Sequence, residues 1–398
     1  MRGARAVAVV ASCLLLVCAG GAGAASGAAW TVQSSPNPSG VSASELVGVS
    51  CASAKACLAI GFSAGSSGRL LLAESWNGSR WTLLRPAVPA GAKSAEFVGV
   101  SCSAANACTA VGDYTKTTAS QTLSLAERWN GRGWQIEQTA NPGVAPKHAA
   151  AGQGSGTELS GVACPAANAC TAVGGATDSA GHNTTLVERW NGRHWSVQSS
   201  PNATGRPLGG VSCPSSGECL AVGDGTVSSG TVPLAERWNG SSWSILANPK
   251  GTTLGLLVGV ACSSSAACSA VGDRSTAAGL YTTLAERWNG SNWAAQSAPA
   301  PGGSQQATVL GGVSCPTGSS CTAVGAYSGA TGGVVPLIES WNGRAWTVAS
   351  SPAPAKGVTT SSLSGVSCPA GGGCFAVGFA TVTAKSGART VTLVETLR

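Results

Sequence analysis

The chain has 398 residues, of which 43% are hydrophobic and only 10% charged, with 56 glycines and 16 cysteines. Its formal charge of +7 falls to +5 without Arg2 and Arg5 of the N-terminal leader, and no basic run is present. That thin, scattered excess argues against nucleic acid as a partner.

In chain order, Met1–Arg5 is basic, Ala6 to Val17 is apolar, and Ala22-Gly23-Ala24 offers a small-x-small cleavage site. Residues 1–24 therefore read as a secretory signal, with cleavage between 24 and 29. The apolar run is short for a membrane span, and none follows it. Val10-Ala11-Ser12-Cys13 loosely resembles a lipobox, but the run continues through Leu14–Val17, and Cys18 follows a valine. Plain secretion is the expectation, with a lipid-anchored surface form as the alternative.

From Trp30 onward one pattern repeats. Trp-Asn-Gly-x-x-Trp occurs as Trp76/Trp81, Trp129/Trp134, Trp190/Trp195, Trp238/Trp243, Trp288/Trp293 and Trp341/Trp346. Trp30-Thr31-Val32-Gln33-Ser34-Ser35-Pro36 nearly copies the string that starts at Trp346, the second half of the sixth unit. The chain ends on Val394-Glu395-Thr396-Leu397-Arg398, the first half of a seventh. Seven Cys-x5-Cys pairs keep the same beat: Cys51/Cys57, Cys102/Cys108, Cys164/Cys170, Cys213/Cys219, Cys262/Cys268, Cys315/Cys321 and Cys368/Cys374. First cysteines are spaced by 49 to 62 residues, a period of propeller blades rather than helical solenoids.

Each unit reads as four short strands. In the first these are Val47–Cys51 (a), Cys57–Gly61 (b), Leu70–Trp76 (c) and Trp81–Leu84 (d), separated by Gly, Ser, Asn and Pro. Asn-Gly after the first Trp signals a tight hairpin, in which both residues tolerate positive φ. Seven such units, the last completed by residues 30–36, predict an all-β chain: a seven-bladed β-propeller over 30–398, four antiparallel strands per blade, closed by the N-terminal strand.

The repeated residues read as architecture. In an exported chain each Cys pair is expected to be a disulfide within its unit. Metal is not expected, because the pairs sit in separate units with spacings unlike structural zinc sites. Glu74, Glu127, Glu188, Glu236, Glu286, Glu339 and Glu395 recur two positions before the Trp position. A catalytic acid is needed once, so these predict hydrogen bonds or ion pairs that lock neighbouring units. Arg128, Arg189, Arg237 and Arg287 follow four of them and lie on the opposite face. The Trp pairs are expected to fill the wedge between blades, with sugar stacking as the alternative.

Function is sought where the repeat is irregular. The spacing from the second Trp to the next Cys runs from 18 to 30 residues, and this segment holds the d–a connection. The d–a and b–c loops share one end of a propeller. The disulfide hairpins and Asn-Gly turns define the other, a rigid and uniform side, so the loop end is the candidate ligand face. Its longest excursion, Thr139 to Glu158, contains Pro142, Pro146, Lys147, His148 and Gln153. With Asp178 and His182 in the next b–c loop, His148 could form an acid–base or metal site. Asp113, Tyr114, Asp224, Asp273, Tyr281 and Tyr327 are further candidates for a polar rim.

These motifs resemble β-propellers with a split last blade, of the kelch and Trp-Asp-repeat types. Gly-Val-Ser-Cys-Pro, Cys-Thr-Ala-Val-Gly and Leu-Ala-Glu-Arg-Trp-Asn-Gly are similar to repeats in secreted proteins of high-GC Gram-positive bacteria. Kelch-type copper oxidases would imply paired His and Tyr ligands plus a Cys-Tyr cofactor. This chain has three histidines, three tyrosines and no unpaired cysteine after the leader, and it lacks the sialidase Ser-x-Asp-x-Gly-x-x-Trp box. The expected function is a secreted, monomeric, cofactor-free binding or scaffold module for a glycan, cell-wall polymer or extracellular protein. The alternative is an extracellular hydrolase or lyase at the channel mouth.

Overall fold

The computed structural model describes residues 29–65, 68–116, 121–142, 156–177, 182–201, 207–228, 230–249, 254–276, 279–301, 306–329, 332–352, 355–384 and 387–398. The leader, His148, Asp178 and residues 143–155 lie outside them. The described residues form strands and turns and no helix.

β1 (Trp30–Gln33) precedes unit 1, β2 to β5 (Ala43–Ser53, Ala56–Ala64, Arg69–Trp76, Trp81–Leu83). Unit 2 is β6 to β9 (Ala92–Ala104, Ala107–Lys116, Thr122–Trp129, Trp134–Glu137). Unit 3 is β10 to β13 (Gly156–Ala166, Ala169–Thr177, Asn183–Trp190, Trp195–Val197). Unit 4 is β14 to β17 (Leu208–Ser215, Glu218–Val227, Gly230–Trp238, Trp243–Ile245). Unit 5 is β18 to β21 (Gly255–Ser264, Ala267–Ser275, Tyr281–Trp288, Trp293–Gln296). Unit 6 is β22 to β25 (Thr308–Thr317, Ser320–Ser328, Val334–Trp341, Trp346–Ala349), and β26 to β28 (Val358–Ser367, Cys374–Ala384, Gly387–Leu397) end the chain.

Within each unit consecutive strands pair antiparallel. Three units are separate four-stranded sheets, and two eight-stranded sheets are pairs of four-stranded sets joined by single parallel bridges, Ala43↔Thr390 and Gly156↔Thr122. β1 pairs with β28, Trp30 opposite Leu397 and Gln33 opposite Val394. The last set thus takes its outer strand from the front of the chain.

First strands pack in the order β2, β6, β10, β14, β18, β22, β26, and β26 packs on β2 again. Glycine makes this approach possible. A Cβ on Gly99 of β6 would lie 2.9 Å from the Ser160 carbonyl of β10, and one on Gly365 of β26 would lie 2.9 Å from the Val47 carbonyl of β2. Any larger residue would push the strands apart. A second set of contacts runs beside it: the Cys102 N–H donates to Ser50 Oγ at 2.9 Å, and the Cys51 N–H to Ser367 Oγ at 3.0 Å.

All seven cysteine pairs are disulfides within their units. Their Cα atoms lie 3.9–4.2 Å apart, closer than the roughly 4.4–6.8 Å usual for a disulfide. The register explains this, since Cys51 and Cys57, for example, face each other directly across β2 and β3.

The pairing is as expected, and burial adds a second role for four of these cysteines. Cys170, Cys219, Cys268 and Cys321 are only 1–2% exposed, so they are core residues and offer no accessible site. The reason is that each second strand lies against the preceding unit. Cys170 packs with Val111 and Ala126 of unit 2, Cys219 with Ala163 and Val173 of unit 3, Cys268 with Leu220 and Val222 of unit 4, and Cys321 with Val271 and Ala285 of unit 5. Hydroxyls of the preceding unit also approach three of the sulfurs: Thr109 lies 3.6 Å from Cys170 Sγ, Thr171 3.5 Å from Cys219 Sγ and Ser269 3.4 Å from Cys321 Sγ. The bridges therefore cross-link a hairpin and fill a seam at once.

The Trp-Asn-Gly hairpins differ from a two-residue turn. Trp76 pairs with Trp81, which leaves a four-residue loop. Gly78 has φ +93°, whereas Asn77 does not have a positive φ, and its Oδ1 accepts from Ser79 N and Arg80 N at 3.0 Å. Asparagine therefore acts through its side chain, closing an Asx turn. Each Trp pair packs with ring centroids 5.6–5.8 Å apart. All are buried except Trp129 and Trp134, which are half-buried.

The repeated glutamates are buried and reach the neighbouring unit. Ser35 Oγ donates to Glu74, Ser200 Oγ to Glu236 and Ser351 Oγ to Glu395, all near 3 Å. Where the serine is replaced, a backbone N–H substitutes: Ala87 N donates to Glu127 and Ala140 N to Glu188. Burial pushes Glu74, Glu127 and Glu339 up to about 8, and Glu188, Glu286 and Glu395 up to about 7.

The arginines cross the seams on the opposite face. Arg128 of unit 2 stacks 5.0 Å from the Trp190 ring of unit 3 and donates to the Ala167 carbonyl at 2.7 Å. Arg189 does the same to Trp238 and Ser216, and Arg287 to Trp341 and Gly318. Arg398 stacks on Trp76 of unit 1. Arg237 instead pairs with Glu218 of its own unit.

Candidate ligand-binding face

The first strands enter from the d–a connections and the second strands leave into the b–c connections. Side chains at the start of the former and the end of the latter therefore share one end of the molecule. Asp113 and Tyr114 of β7, Asp224 of β15, Asp273 of β19, Tyr281 at the start of β20 and Tyr327 of β23 all lie there. His182 precedes β12 on the same end and is exposed. The partners proposed for it from sequence, His148 and Asp178, lie outside the described residues. The disulfides, with the buried Cys170, Cys219, Cys268 and Cys321, are at the other end of the same strands and are structural.

Of these candidates, Asp113 stands in a charged cluster that the sequence reading missed. Glu96, at the start of β6, is directly opposite Asp113 in register. Glu45 of β2 and Glu158 of β10 occupy the equivalent position in units 1 and 3, each two residues before the one that bulges out of the first strand. Arg69, at the start of β4, pairs with Glu96 and stacks 4.0 Å above the Phe62 ring. Four carboxylates thus line an arc of three consecutive units, and the Arg69 guanidinium acts on three of them, Glu45, Glu96 and Asp113. Glu at this strand position in the first three units, but Pro207, Leu256, Val309 and Ser362 in the others, was the signal available in the sequence.

Burial is the largest cause of the raised titration of Asp113, pushed to about 7, and the charges of Glu96 and Glu158 add to it against Arg69. Glu45 is raised by burial and by Glu96, against Arg69, and Glu158 by burial and by Glu96. Burial and two neighbouring carboxylates thus favour the protonated form of Asp113 more than an exposed aspartate would allow. Tyr114 is raised by burial and packs into the seam between units 1 and 2.

Beside the arc runs an axial cavity of about 420 Å³. First strands supply its wall, with Val47, Val98, Ser160, Gly209, Val258 and Ser364, and Asp273 joins them. Burial raises Asp273. Among the described residues no group of three or more His, Cys, Asp and Glu is placed to hold a metal ion.

The base of the long excursion is structural. Thr139 is buried, Ser124 Oγ donates to Thr139 Oγ1 at 2.8 Å, and Asn141 Oδ1 accepts from Ser124 N and from Thr157 Oγ1. Thr139, Asn141 and Thr157 are therefore framework residues rather than candidate ligand contacts.

No family model and no curated protein matches the chain. Among solved structures it is similar to YCF48 bound to a D1 peptide, at 11% identity and TM-score 0.50 over 93% of this chain and 95% of that one. It is also similar to the GH74 xyloglucanase of Xanthomonas campestris, at 15% identity and TM-score 0.54, covering 91% of this chain and 55% of the enzyme. A fucose-recognising lectin of Aleuria aurantia with a six-bladed β-propeller fold aligns at 10% identity and TM-score 0.43, over 75% of this chain and 95% of the lectin. The neighbours are β-propellers, and the all-β repeat architecture here is of that type.

Proposed function

We propose that the chain is a secreted seven-bladed propeller, its last blade completed by β1, that binds a glycan or cell-wall polymer through the end built by the d–a and b–c connections. Cyclic packing of the first strands and the β1–β28 pairing support the ring. Seven disulfides suit an oxidising, extracellular setting, and no helix among the described residues is long and apolar enough to cross a membrane. Propeller neighbours include both a peptide-bound protein and a glycan hydrolase, so the fold leaves function to the site.

The observation that carries the reading is the acidic arc of Glu45, Glu96, Asp113 and Glu158 on the variable end, opposite an end stiffened by repeated disulfides and Asx turns. Carboxylates accept hydrogen bonds from hydroxyl and ammonium groups and repel other anions. The ligand class is accordingly a neutral or amine-bearing glycan rather than an anionic polymer. His182, Asp224, Tyr281 and Tyr327 form the outer rim, and Asp273 stands at the axial cavity.

A glycan and cell-wall binding screen tests this. Glu96→Gln and Glu158→Gln should each weaken binding by about tenfold, a charge-assisted hydrogen bond being lost. Replacing only 143–155 by a short Gly-Ser loop should weaken binding with little change in melting temperature. Binding indifferent to all three variants would refute the assignment.

One observation favours a second reading, hydrolysis. Burial and the charges of Glu96 and Glu158 push Asp113 up to about 7 beside those carboxylates, the kind of separation that a general acid and its base require. Turnover of a polysaccharide, abolished by Asp113→Asn, would establish that reading in place of pure binding.

A further inference from the structure

The seam between units 1 and 2, at the end opposite the acidic arc, departs from the seams that arginine closes. Units 2, 3 and 5 place Arg128, Arg189 and Arg287 immediately before the Trp of the third strand. Each guanidinium stacks on the third-strand Trp of the next unit at 4.7–5.0 Å and donates, at 2.7 Å, to the carbonyl three residues after the next unit's first disulfide cysteine. Unit 1 carries Ser75 at that position.

The receiving elements in unit 2 are nevertheless all present. Trp129 is the third-strand Trp, and Ala105 is three residues after Cys102. Ser75, Trp129, Ala105 and the Cys102–Cys108 bridge line a cavity of about 350 Å³, with buried Leu58 at its base and Lys55 at its rim. Trp129 is half-buried, whereas the arginine-covered Trp190, Trp238 and Trp341 are 4–7% exposed. The repeat has thus built an aromatic face and a carbonyl acceptor in the arrangement that holds a guanidinium at three other seams, and here has left them open to solvent.

We propose that this cavity binds an arginine side chain of a partner protein or peptide. The guanidinium stacks on Trp129 and donates to the Ala105 carbonyl, as Arg128 does at the next seam. Lys55 favours an arginine flanked by an acidic residue, whose carboxylate its ammonium can pair with. The site is independent of the glycan-binding reading and lies on the other end of the molecule.

The test titrates the full chain with N-acetyl-Arg-Glu-amide and follows the indole N–H resonance of Trp129, assigned with Trp129→Phe. A saturable shift is expected. The citrulline counterpart, of nearly the same shape but uncharged, should bind about tenfold more weakly because it loses the cation–π and charge-assisted terms. Ser75→Arg should abolish binding and raise the melting temperature, by filling the cavity from within the chain. Ser75→Gln blocks the same space without charge and serves if Ser75→Arg does not fold. No saturable shift, equal binding of citrulline, undiminished binding to both Ser75 variants, or binding of a neutral methyl glycoside in place of the arginine peptide would each overturn the proposal.

Discussion

Replacing Glu339 by glutamine is expected to stabilise the protein at alkaline pH and leave it nearly unchanged at pH 5. Glu339 is fully buried, and neither carboxyl oxygen has a hydrogen-bond partner among the described residues. The cause is local. The residue that presents a hydroxyl to Glu74, Glu236 and Glu395 is a serine, and its counterpart before Glu339 is Ala298. The backbone N–H that replaces it at Glu127 and Glu188 is absent here too, because the next residue is Pro299. Burial raises the carboxyl from its ordinary 4.5 to about 8. The folded state therefore binds a proton that the unfolded chain has released, and stability falls as pH rises from 4.5 through 8. At ~1.4 kcal/mol per pH unit, the loss between pH 5 and pH 9 is of order 4 kcal/mol. Glutamine fills the same volume without ionising. Thermal unfolding at pH 5, 7 and 9 should show a gain for Glu339→Gln that grows with pH, reaching about 5 °C at pH 9. A difference between variant and wild type that does not change with pH would refute the reasoning.

Three further outcomes follow from the same contacts. Ala298→Ser should restore the missing donor to Glu339 and raise stability by about 1 kcal/mol near neutral pH, read by denaturant titration. Deleting residues 30–36 removes the strand beside β28 together with Ser35, whose hydroxyl donates to Glu74 and lies 2.8 Å from Thr392 Oγ1, so cooperative unfolding should begin at a clearly lower temperature. The pair Cys102→Ser and Cys108→Ser should cost about 2 kcal/mol, since the loop it closes is short, and unfolding with the other bridges intact measures it.

What the sequence determined alone is local in the chain. Disulfide partners are six residues apart on adjacent strands, and paired tryptophans are five apart around one Asx turn. Their spacing therefore sets their pairing before any unit meets another. Burial of the Trp pairs and the structural use of the repeated glutamates also follow, because a residue type recurring at one place in every unit must serve what every unit shares. The tertiary structure decided what depends on neighbours. Spacing pairs Cys170, Cys219, Cys268 and Cys321 with their partners, but their burial comes from apolar side chains of the unit before. Glu45, Glu96 and Glu158 are separated by 51 and 62 residues, and Glu96 acts on Glu45 and Glu158, and Glu158 on Asp113, only because glycines let the first strands pack side by side. The donors to the glutamates come from the preceding unit, which no pattern within one unit reveals. Whether Trp129 is covered likewise depends on Ser75, a residue of the neighbouring unit, because the arginine that covers the equivalent Trp at three other seams comes from the unit before it.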